Sequence, residues 1–356
     1  MKFNLKLVFS LIIVFFIYIF IYFNLNSTIT VLKIENENKT KDLIPIAVVV
    51  CGINRVDESL VMIKSALIFN TENYLLNFVI IAEDQLHEVI NERLKNFKTF
   101  KNFTHEILSL KFPQKNQEIW KKLFKPCASQ RLFLPSLLPH VDSLIYVDCD
   151  VLFISSPHKL YNHFKSFNHD QISALALESE NRNTGWYTRF ARHPYFGLGL
   201  NSGVMLMNMT RMRKIKFEEK IEPIYEKWKN QLVWGDQDIL NIYFHNNPNE
   251  VHLMKCEYNY RPDHCMYTSN CDLSEGSVKI VHGNRGYFHK EGKQRIFREI
   301  YMAIDEYKFN DDPCTNLIKV IEERVDEAEI SNCNEMINKF LYIPKKTFCR
   351  HTNEIS

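Results

Sequence analysis

Several features that mark other classes of protein are missing from this 356-residue sequence. None of its nine cysteines forms a Cys-x-x-Cys pair, which argues against a structural zinc site. Its charges nearly balance, with 44 Lys and Arg against 42 Asp and Glu, and no long basic stripe is present, so nucleic acid is not an expected partner. No internal repeat appears, and the 46% apolar fraction indicates a globular protein with a sizeable core.

The N-terminus carries a long apolar run, residues 7–23, which only Ser10 interrupts. As a helix this run would be about 25 Å long, close to the lower limit for a membrane span. Lys2 and Lys6 precede it, so the positive-inside rule keeps the N-terminus in the cytosol. A cleaved signal peptide is the alternative, but the run is long for one and no good cleavage site follows it. We therefore expect a single-pass type II membrane protein with a cytoplasmic tail (1–6), a signal-anchor helix (7–23) and a lumenal stem (24–44).

Two patterns agree with a lumenal catalytic part. Glycosylation sequons stand at Asn26, Asn38, Asn102 and Asn208. Nine cysteines suit an oxidising compartment, where the odd count leaves at least one unpaired. Three of them, Cys256, Cys265 and Cys271, lie close enough in sequence to favour a short-range bridge, while the full connectivity stays open. The chain ends Asn-Glu-Ile-Ser and has no retrieval tetrapeptide, which leaves both the Golgi and the endoplasmic reticulum as locations.

Apolar runs alternate with helical periodicity, which predicts an α/β fold with a mainly parallel sheet. The predicted strands are residues 44–52, 77–82, 143–147, 151–154, 201–207 and 279–282. The predicted helices are 58–69, 84–97 and 234–244, with a further helical pattern inside 120–138. Residues 309–356 are predicted to form a helical C-terminal tail.

The ends of the predicted strands carry the candidate chemistry. In open α/β sheets, ligands bind beyond the carboxyl ends of the strands. Asp148 and Asp150 follow the strand 143–147 and can reach one hard divalent cation together, which would also bind diphosphate oxygens. His282 closes another short strand and is the best third ligand, although it could instead be a satisfied loop histidine.

The segments VDCDVLF, NSGVMLMN, WGDQDILN and HGNRG closely resemble, in order and spacing, the motifs of the retaining glycosyltransferases of family 8. The resemblance covers roughly residues 45–305. It implies a single Rossmann-like GT-A domain over 45–308. The further segments WKKLFKPCASQRLFLP, GWYTRFARHPY, NSGVMLMNMTRMR and YNYRPDHCMYTSNC are similar to those of the animal glucoside xylosyltransferases, which are type II membrane enzymes.

The resemblance assigns roles to individual positions. Manganese, or magnesium in its place, would be bound by Asp148, Asp150 and His282. The nucleotide would be bound by two groups of residues: the uracil and ribose pocket at Val50, Cys51 and Gly52, and the ribose and diphosphate wall at Val147 and Cys149. The donor sugar would contact Arg131, Asn201 and Gly203, and the segment Asp236, Gln237 and Asp238 would lie beside the reacting carbon. The diphosphate would be bound by the loop of Gly283 with Arg285 or Lys290. The chain departs from the family where HGNRGYFHK lacks the usual Lys-Pro-Trp ending.

Each of these positions has a structural alternative. Asp236 and Gln237 could simply cap the following helix, and Arg131 could pair with a structural acid. Cys51 could be a core residue, and Asn201 could satisfy loop backbone. The aromatic side chains of Trp186, Tyr187 and Trp234 could belong to the core or form a platform for the acceptor. Cys149 is the cysteine expected to stay unpaired, because a disulfide would constrain the metal loop; the other eight could then form up to four bridges.

The function that the resemblance implies is transfer of xylose from UDP-xylose to glucose already O-linked to epidermal-growth-factor-like (EGF-like) repeats. Retention would make the new bond α, and the linkage that the resemblance implies is 1,3. Front-face attack is favoured over double displacement, for which Asp236 or Asp238 would be the nucleophile. The alternatives are a family 8 enzyme that uses UDP-glucose or UDP-galactose, and an inactive lumenal binding protein.

Overall fold

The structure, a computed structural model, describes residues 43–349 apart from 126, 180, 184, 267–270, 275, 292–293 and 329–330. Within those ranges no helix is long and apolar enough to cross a bilayer. The predicted cytoplasmic tail, signal anchor and most of the stem lie outside the described residues.

A mixed sheet of seven strands organises the fold, in the order β3-β2-β1-β4-β7-β6-β8. Four of its pairings are parallel (β1 with β2 and β4, β2 with β3, β6 with β8), and β7 runs antiparallel to both of its neighbours. A second, two-stranded antiparallel sheet pairs β5 with β9. The strands are β1 (Leu43–Val50), β2 (Leu75–Ala82), β3 (Thr104–Ser109), β4 (Ser143–Val147), β5 (Val151–Phe153), β6 (Ser173–Leu177), β7 (Leu200–Asn208), β8 (Val251–Met254) and β9 (Ile280–His282). The prediction of a mainly parallel α/β sheet is confirmed.

Helices cover both faces of the large sheet, which explains why β1 reads as a continuous apolar run. Ile46 and Val48 pack in one core with α1, whereas Ala47 between them packs in the core on the opposite face. The α-helices of the described chain are α1 (Asn54–Phe69), α2 (His87–Lys98), α3 (Gln117–Lys122), α4 (Leu134–Leu137), α5 (Pro157–Tyr161), α6 (Trp186–Phe190), α7 (Met209–Lys214), α8 (Phe217–Trp228), α9 (Asp236–Asn246), α10 (Ile296–Glu306), α11 (Lys319–Asp326) and α12 (Ile337–Phe348).

One predicted helical segment is interrupted. Inside residues 120–138, α3 ends at Lys122, a 3-10 helix occupies Ala128–Phe133, and α4 follows. The interruption contains Cys127, whose φ of 63° is in the left-handed region that no α-helix can include. The disulfide between Cys127 and Cys51 ties this turn to the end of β1.

Disulfides also hold the C-terminal helices. All nine cysteines lie in the described part of the chain, and the other three bridges are Cys256–Cys271, Cys265–Cys333 and Cys314–Cys349. A third core joins α10, α11 and α12 to the small sheet. Cys149 is the unpaired cysteine, and eight cysteines form four bridges, as expected.

Candidate active site

A cavity of about 530 Å³ opens at one edge of the large sheet, and eight of the candidate catalytic and ligand-binding residues line it. These are Arg131, Asp148, Asp150, Asn201, Asp236, Gln237, His282 and Arg285. The cavity does not border Asp238, Gly283 or the nucleotide-wall candidates Val50, Cys51, Gly52, Val147 and Cys149.

Strand register brings the three proposed metal ligands together. β4 pairs with β7 so that the Asp148 N–H donates to the Gly203 carbonyl (2.9 Å). β5 pairs with β9 so that Val151 lies opposite His282, which places the histidine beside Asp150. One ligand atom from each of Asp148, Asp150 and His282 lies within 4.8 Å of the other two.

The chemistry of this trio fits a divalent cation. Two carboxylates and an imidazole are donors that Mn²⁺ or Mg²⁺ accepts, and Asp148 keeps a quarter of its side chain exposed to the cavity. Burial alone would raise the pKa of Asp150, but the neighbouring His282 and the charges of Lys125 and Arg55 together outweigh it, and the pKa falls to about 2. Asp150 is therefore ionised at neutral pH and available as a ligand.

Arg131 lies behind the trio and links it to the next acidic segment. Its guanidinium is 2.9 Å from Asp148 Oδ1 and 2.9 Å from Asp236 Oδ2, and it donates to the Ser202 carbonyl at 2.7 Å. Burial would lower the pKa of Arg131, but the charges of its partners, Asp148 first, raise it. Arg131 therefore stays charged and fixes the position of Asp148 relative to α9.

The Asp236-Gln237-Asp238 segment begins α9, and its members point to different places. Asp236 is 2% exposed and faces Arg131, and burial raises its pKa. Gln237 lies at the cavity, where its side-chain oxygen accepts from the Ser202 N–H at 3.1 Å. Asp238 is fully buried, and its two oxygens accept from Tyr187 Oη and the Trp234 N–H. Only the first two residues of the segment reach the cavity.

The start of β7 supplies the wall between the trio and α9. Because β7 runs antiparallel to β4, its first residues lie at the edge where β4 ends. Asn201 Oδ1 accepts from the Gly203 N–H, so the expectation that this amide could satisfy backbone is met by the structure. Gly203 leaves room for the ring of His282, since a Cβ there would lie 2.2 Å from the ring's Cε1.

The proposed nucleotide wall lies at the carboxyl ends of β1 and β4. Cys51 is half-buried, packs against the core and forms a disulfide with Cys127. Val50 and Val147 are fully buried. The Gly52 N–H donates to Glu83. Cys149 points away from the metal ligands and its thiol contacts Glu58 at 3.3 Å, where burial raises its pKa. These positions keep their predicted roles as hypotheses.

The loop after β9 closes the site from the other side. The Gly283 N–H donates to the Asp150 carbonyl at 2.8 Å, so the loop and the metal-binding turn are joined. Arg285 pairs with Asp263, which also lines the cavity. Lys290 stacks its ammonium on the Tyr287 ring at 4.5 Å.

Trp186 and Trp234 line the outer part of the cavity, with ring centroids 5.3 Å apart. Their partner in the sequence hypothesis, Tyr187, is 1% exposed and belongs to the core. The structure thus separates the three aromatic candidates into two at the cavity and one behind it.

The cavity residues that were not identified from the sequence include four charged side chains: Lys125, Glu178, Arg189 and Asp263. Glu178 follows β6, a five-residue strand of Ser, Ala and Leu that periodicity did not predict, and it accepts from Asn201 Nδ2 at 2.7 Å. A predicted strand at 173–177 would have placed this acid at the same sheet edge as Asp148.

A sheet of this topology, with a candidate cation-binding Asp-x-Asp turn at its open edge and a buried arginine behind it, is typical of one class of protein, the α/β nucleotide-sugar transferases. Within that class the chain belongs to glycosyltransferase family 8, because the family described as Glycosyl transferase family 8 matches residues 46–286. The family implies a UDP-sugar donor and a divalent metal.

Two glucoside xylosyltransferases are similar in sequence to most of this chain. Human glucoside xylosyltransferase 1 is 45% identical over 309 residues, which is 83% of this chain and 69% of that protein. Mouse glucoside xylosyltransferase 2 is 43% identical over 86% of this chain and 72% of its own length. The apo crystal structure of mouse xyloside xylosyltransferase 1 has a TM-score of 0.53 at 20% identity, covering 68% of this chain and 98% of that one, and supports the fold.

Proposed function

We propose that the protein is a retaining xylosyltransferase that moves xylose from UDP-xylose to the 3-hydroxyl of an O-linked glucose. The observation that carries this proposal is the convergence of Asp148, Asp150 and His282 on one cavity, in a family 8 chain with relatives named glucoside xylosyltransferases. UDP-glucose and UDP-galactose are less favoured donors because these relatives cover most of the chain.

The cation would be held by Asp148, Asp150 and His282. Mn²⁺ or Mg²⁺, when bound there, offsets the charge that develops on the departing diphosphate. Arg131 keeps Asp148 in place through the ion pair of 2.9 Å, and the guanidinium adds fixed positive charge beside the diphosphate side of the cavity.

The geometry of the acids supports attack of the acceptor from the same face as the leaving group. A double displacement needs a carboxylate free to attack the sugar. Asp238 is fully buried with both oxygens bonded, and Asp236 is buried against Arg131. The burial of Asp238 argues against it as a nucleophile, and Asp236, although it lines the cavity, is paired with Arg131. We therefore favour the front-face route, in which a diphosphate oxygen would be the base.

The acceptor side of the proposal rests on the outer cavity. Trp186 and Trp234 offer aromatic faces of the kind that bind sugar rings by apolar contact. We infer that they receive the glucose of an EGF-like repeat, and that the enzyme works in the lumen of the Golgi or endoplasmic reticulum behind the N-terminal anchor.

A donor screen tests this function. The purified protein with Mn²⁺ is offered UDP-xylose, UDP-glucose or UDP-galactose and an EGF-like repeat with or without O-linked glucose. We expect transfer only from UDP-xylose to the glucosylated repeat, an α linkage by NMR, and no transfer by Asp148→Ala. Transfer of a hexose in preference to xylose would overturn the donor assignment, and full activity of Asp148→Ala would overturn the metal site.

A further inference from the structure

A series of hydrogen-bonded side chains runs from His282 through the fully buried Asn259 to Asn201 and Glu178, which line the same cavity. His282 Nδ1 is 2.9 Å from Asn259 Oδ1, and Asn259 Nδ2 is 2.8 Å from Asn201 Oδ1. Asn201 Nδ2 in turn reaches Glu178 Oε2 at 2.7 Å. Asn259 is fully buried, and His282 and Asn201 are 4% and 6% exposed, so water does not compete for these bonds.

The donor and the acceptor of each hydrogen bond in this series can be assigned by starting from Asn201. The Gly203 N–H can only donate, and it is 3.0 Å from Asn201 Oδ1, which must therefore be the oxygen of that amide. A carboxylate can only accept, so Glu178 agrees with the Asn201 nitrogen facing it. Asn259 must then turn its nitrogen to Asn201 Oδ1 and its oxygen to His282.

The consequence at the histidine is a fixed place for one proton. Since Asn259 presents an acceptor, His282 must carry a proton on Nδ1, so its neutral form is the Nδ1–H tautomer. In that form the lone pair of Nε2 faces Asp150 Oδ1 at 3.4 Å. A lone pair opposite a carboxylate is repulsive unless a cation lies between them, and that arrangement is the one a metal ligand needs.

Backbone packing holds the ring in the same place. The backbone of Tyr260, the residue after Asn259, is hydrogen-bonded to β9. Its carbonyl accepts from the His282 N–H at 2.8 Å, and its N–H donates to the Ile280 carbonyl. Gly203 allows the ring to approach β7, because any Cβ there would overlap it. Asn259 therefore has one position relative to the imidazole.

We propose that Asn259 is a positioning residue for the metal site, which fixes His282 as the Nδ1–H tautomer and so keeps Nε2 available as a ligand. This inference rests on the proposed metal-dependent function, and it deepens it by assigning the residue that orients the third ligand.

Direct Mn²⁺ binding to the metal-free full-length chain, followed by electron paramagnetic resonance, tests the proposal. Asn259→Leu removes the acceptor and should weaken Mn²⁺ affinity by roughly 10- to 100-fold, the usual effect of losing such a partner. Asn259→Asp keeps an acceptor opposite Nδ1 but places a second acceptor opposite Asn201 Oδ1, so it should recover only part of the affinity that Asn259→Leu loses. Asn241→Leu is the matched control, since Asn241 is also fully buried and bonds the Leu200 backbone, and its affinity should equal that of the wild type.

A second measurement reads the tautomer without any metal. ¹⁵N NMR of histidine-labelled metal-free protein at mildly alkaline pH distinguishes protonated from bare ring nitrogens, and His282→Gln identifies the signal. We expect the proton on Nδ1 in the wild type and a shift toward the Nε2–H form in Asn259→Leu.

The proposal is wrong if the wild type carries the proton on Nε2, or if Asn259→Leu binds Mn²⁺ as tightly as the wild type. A different result separates it from the proposed function. If the wild-type chain binds no Mn²⁺ yet shows the Nδ1–H tautomer that Asn259→Leu loses, the metal assignment fails while the orienting role of Asn259 holds.

Discussion

Two acidic triplets with the same spacing lie on either side of Arg131, and their surroundings differ. Asp148 and Asp150 follow a strand and offer their oxygens to one point in the cavity. Asp236 and Asp238 begin a helix, where two residues correspond to a rotation of about 200°, so their side chains diverge. Asp236 faces Arg131, while Asp238 faces the core.

Each triplet also has a histidine at the same distance. His282 Nε2 is 3.4 Å from Asp150, and His193 Nε2 is 3.4 Å from Asp238. In both histidines the other ring nitrogen meets a carbonyl-type oxygen, that of Asn259 or of Pro194. The pairs Asp150–His282 and Asp238–His193 are thus alike in local geometry, and they differ in the other groups that contact each aspartate.

Access separates the two pairs. The cavity reaches Asp150 and brings Asp148 as a further ligand, whereas Asp238 is sealed and already accepts from Trp234 and Tyr187. An Asp–His pair with an open side and a second carboxylate suits a cation, and the same pair enclosed by N–H and O–H donors suits a structural role. Acidic spacing alone does not distinguish the two.

The largest effect that would sharpen this contrast is expected from Asp150→Ala. Activity should fall by roughly 10³-fold or more, because the cation contributes several kcal/mol of charge stabilisation. Mn²⁺ affinity should fall with it, and both are measured by xylose transfer and Mn²⁺ titration. Asp84→Ala, which changes an exposed acid away from the cavity, serves as the control. Retained Mn²⁺ binding in Asp150→Ala would mean that the triplet at Asp148 and Asp150 is not the metal site that distinguishes it from the triplet at Asp236 and Asp238.

The metal trio was predictable because its signals are local. An apolar strand running into two acids, and a short strand ending at His282, both appear in the sequence and meet through strand pairing. Glu178 was not predictable in this way, since β6 is only five residues long and shows no alternation of polar and apolar residues. The bridge between Cys51 and Cys127 depends on a left-handed turn and on tertiary contact, which spacing does not encode.

The divergence of Asp236 and Asp238 follows from a prediction that the sequence did support. A helix was predicted over 234–244, and helical geometry places the two acids on opposite sides. The resemblance grouped both beside the reacting carbon, but only packing against Tyr187 determines that Asp238 is the one in the core.

Arg131→Lys would break the connection between the two triplets. An ammonium keeps the charge but cannot reach Asp148, Asp236 and the Ser202 carbonyl in the fixed geometry of a guanidinium. We expect kcat/KM to fall roughly 10- to 100-fold, the cost of a misplaced catalytic group.

The control for that change is Arg213→Lys, because Arg213 also donates to several backbone carbonyls but lies away from the cavity. Its kcat/KM should match that of the wild type. Equal activity of Arg131→Lys and Arg213→Lys would show that Arg131 acts as a simple point charge.

Asp238→Asn should affect stability more than catalysis. The amide cannot accept from both Tyr187 and the Trp234 N–H, which leaves one buried donor unsatisfied and lowers the free energy of unfolding by about 1–3 kcal/mol. Urea denaturation measures this loss, and transfer assays on folded protein should show a far smaller change than Asp150→Ala. A folded, stable Asp238→Asn protein without activity would instead place Asp238 in the chemistry.

The smallest expected effect is a pH dependence of stability carried by His193. Burial lowers the pKa of His193, but its hydrogen bond to Asp238 and the Pro194 carbonyl outweigh this and raise the pKa above its ordinary value. The folded state thus holds the proton more tightly than the unfolded state. The resulting stability is fully present below about pH 6.5 and is lost as the pH rises through the raised pKa.

His193→Gln should remove this contribution, so the difference in unfolding free energy between wild type and variant should shrink as the pH rises above neutrality. Urea denaturation at a series of pH values measures that difference. The control is His169→Gln, at an exposed histidine, for which the difference from the wild type should not change with pH. A difference that grows with pH would mean that His193 is neutral beside Asp238. The enclosed pair would then lack the proton that makes it the counterpart of the cation proposed between His282 and Asp150.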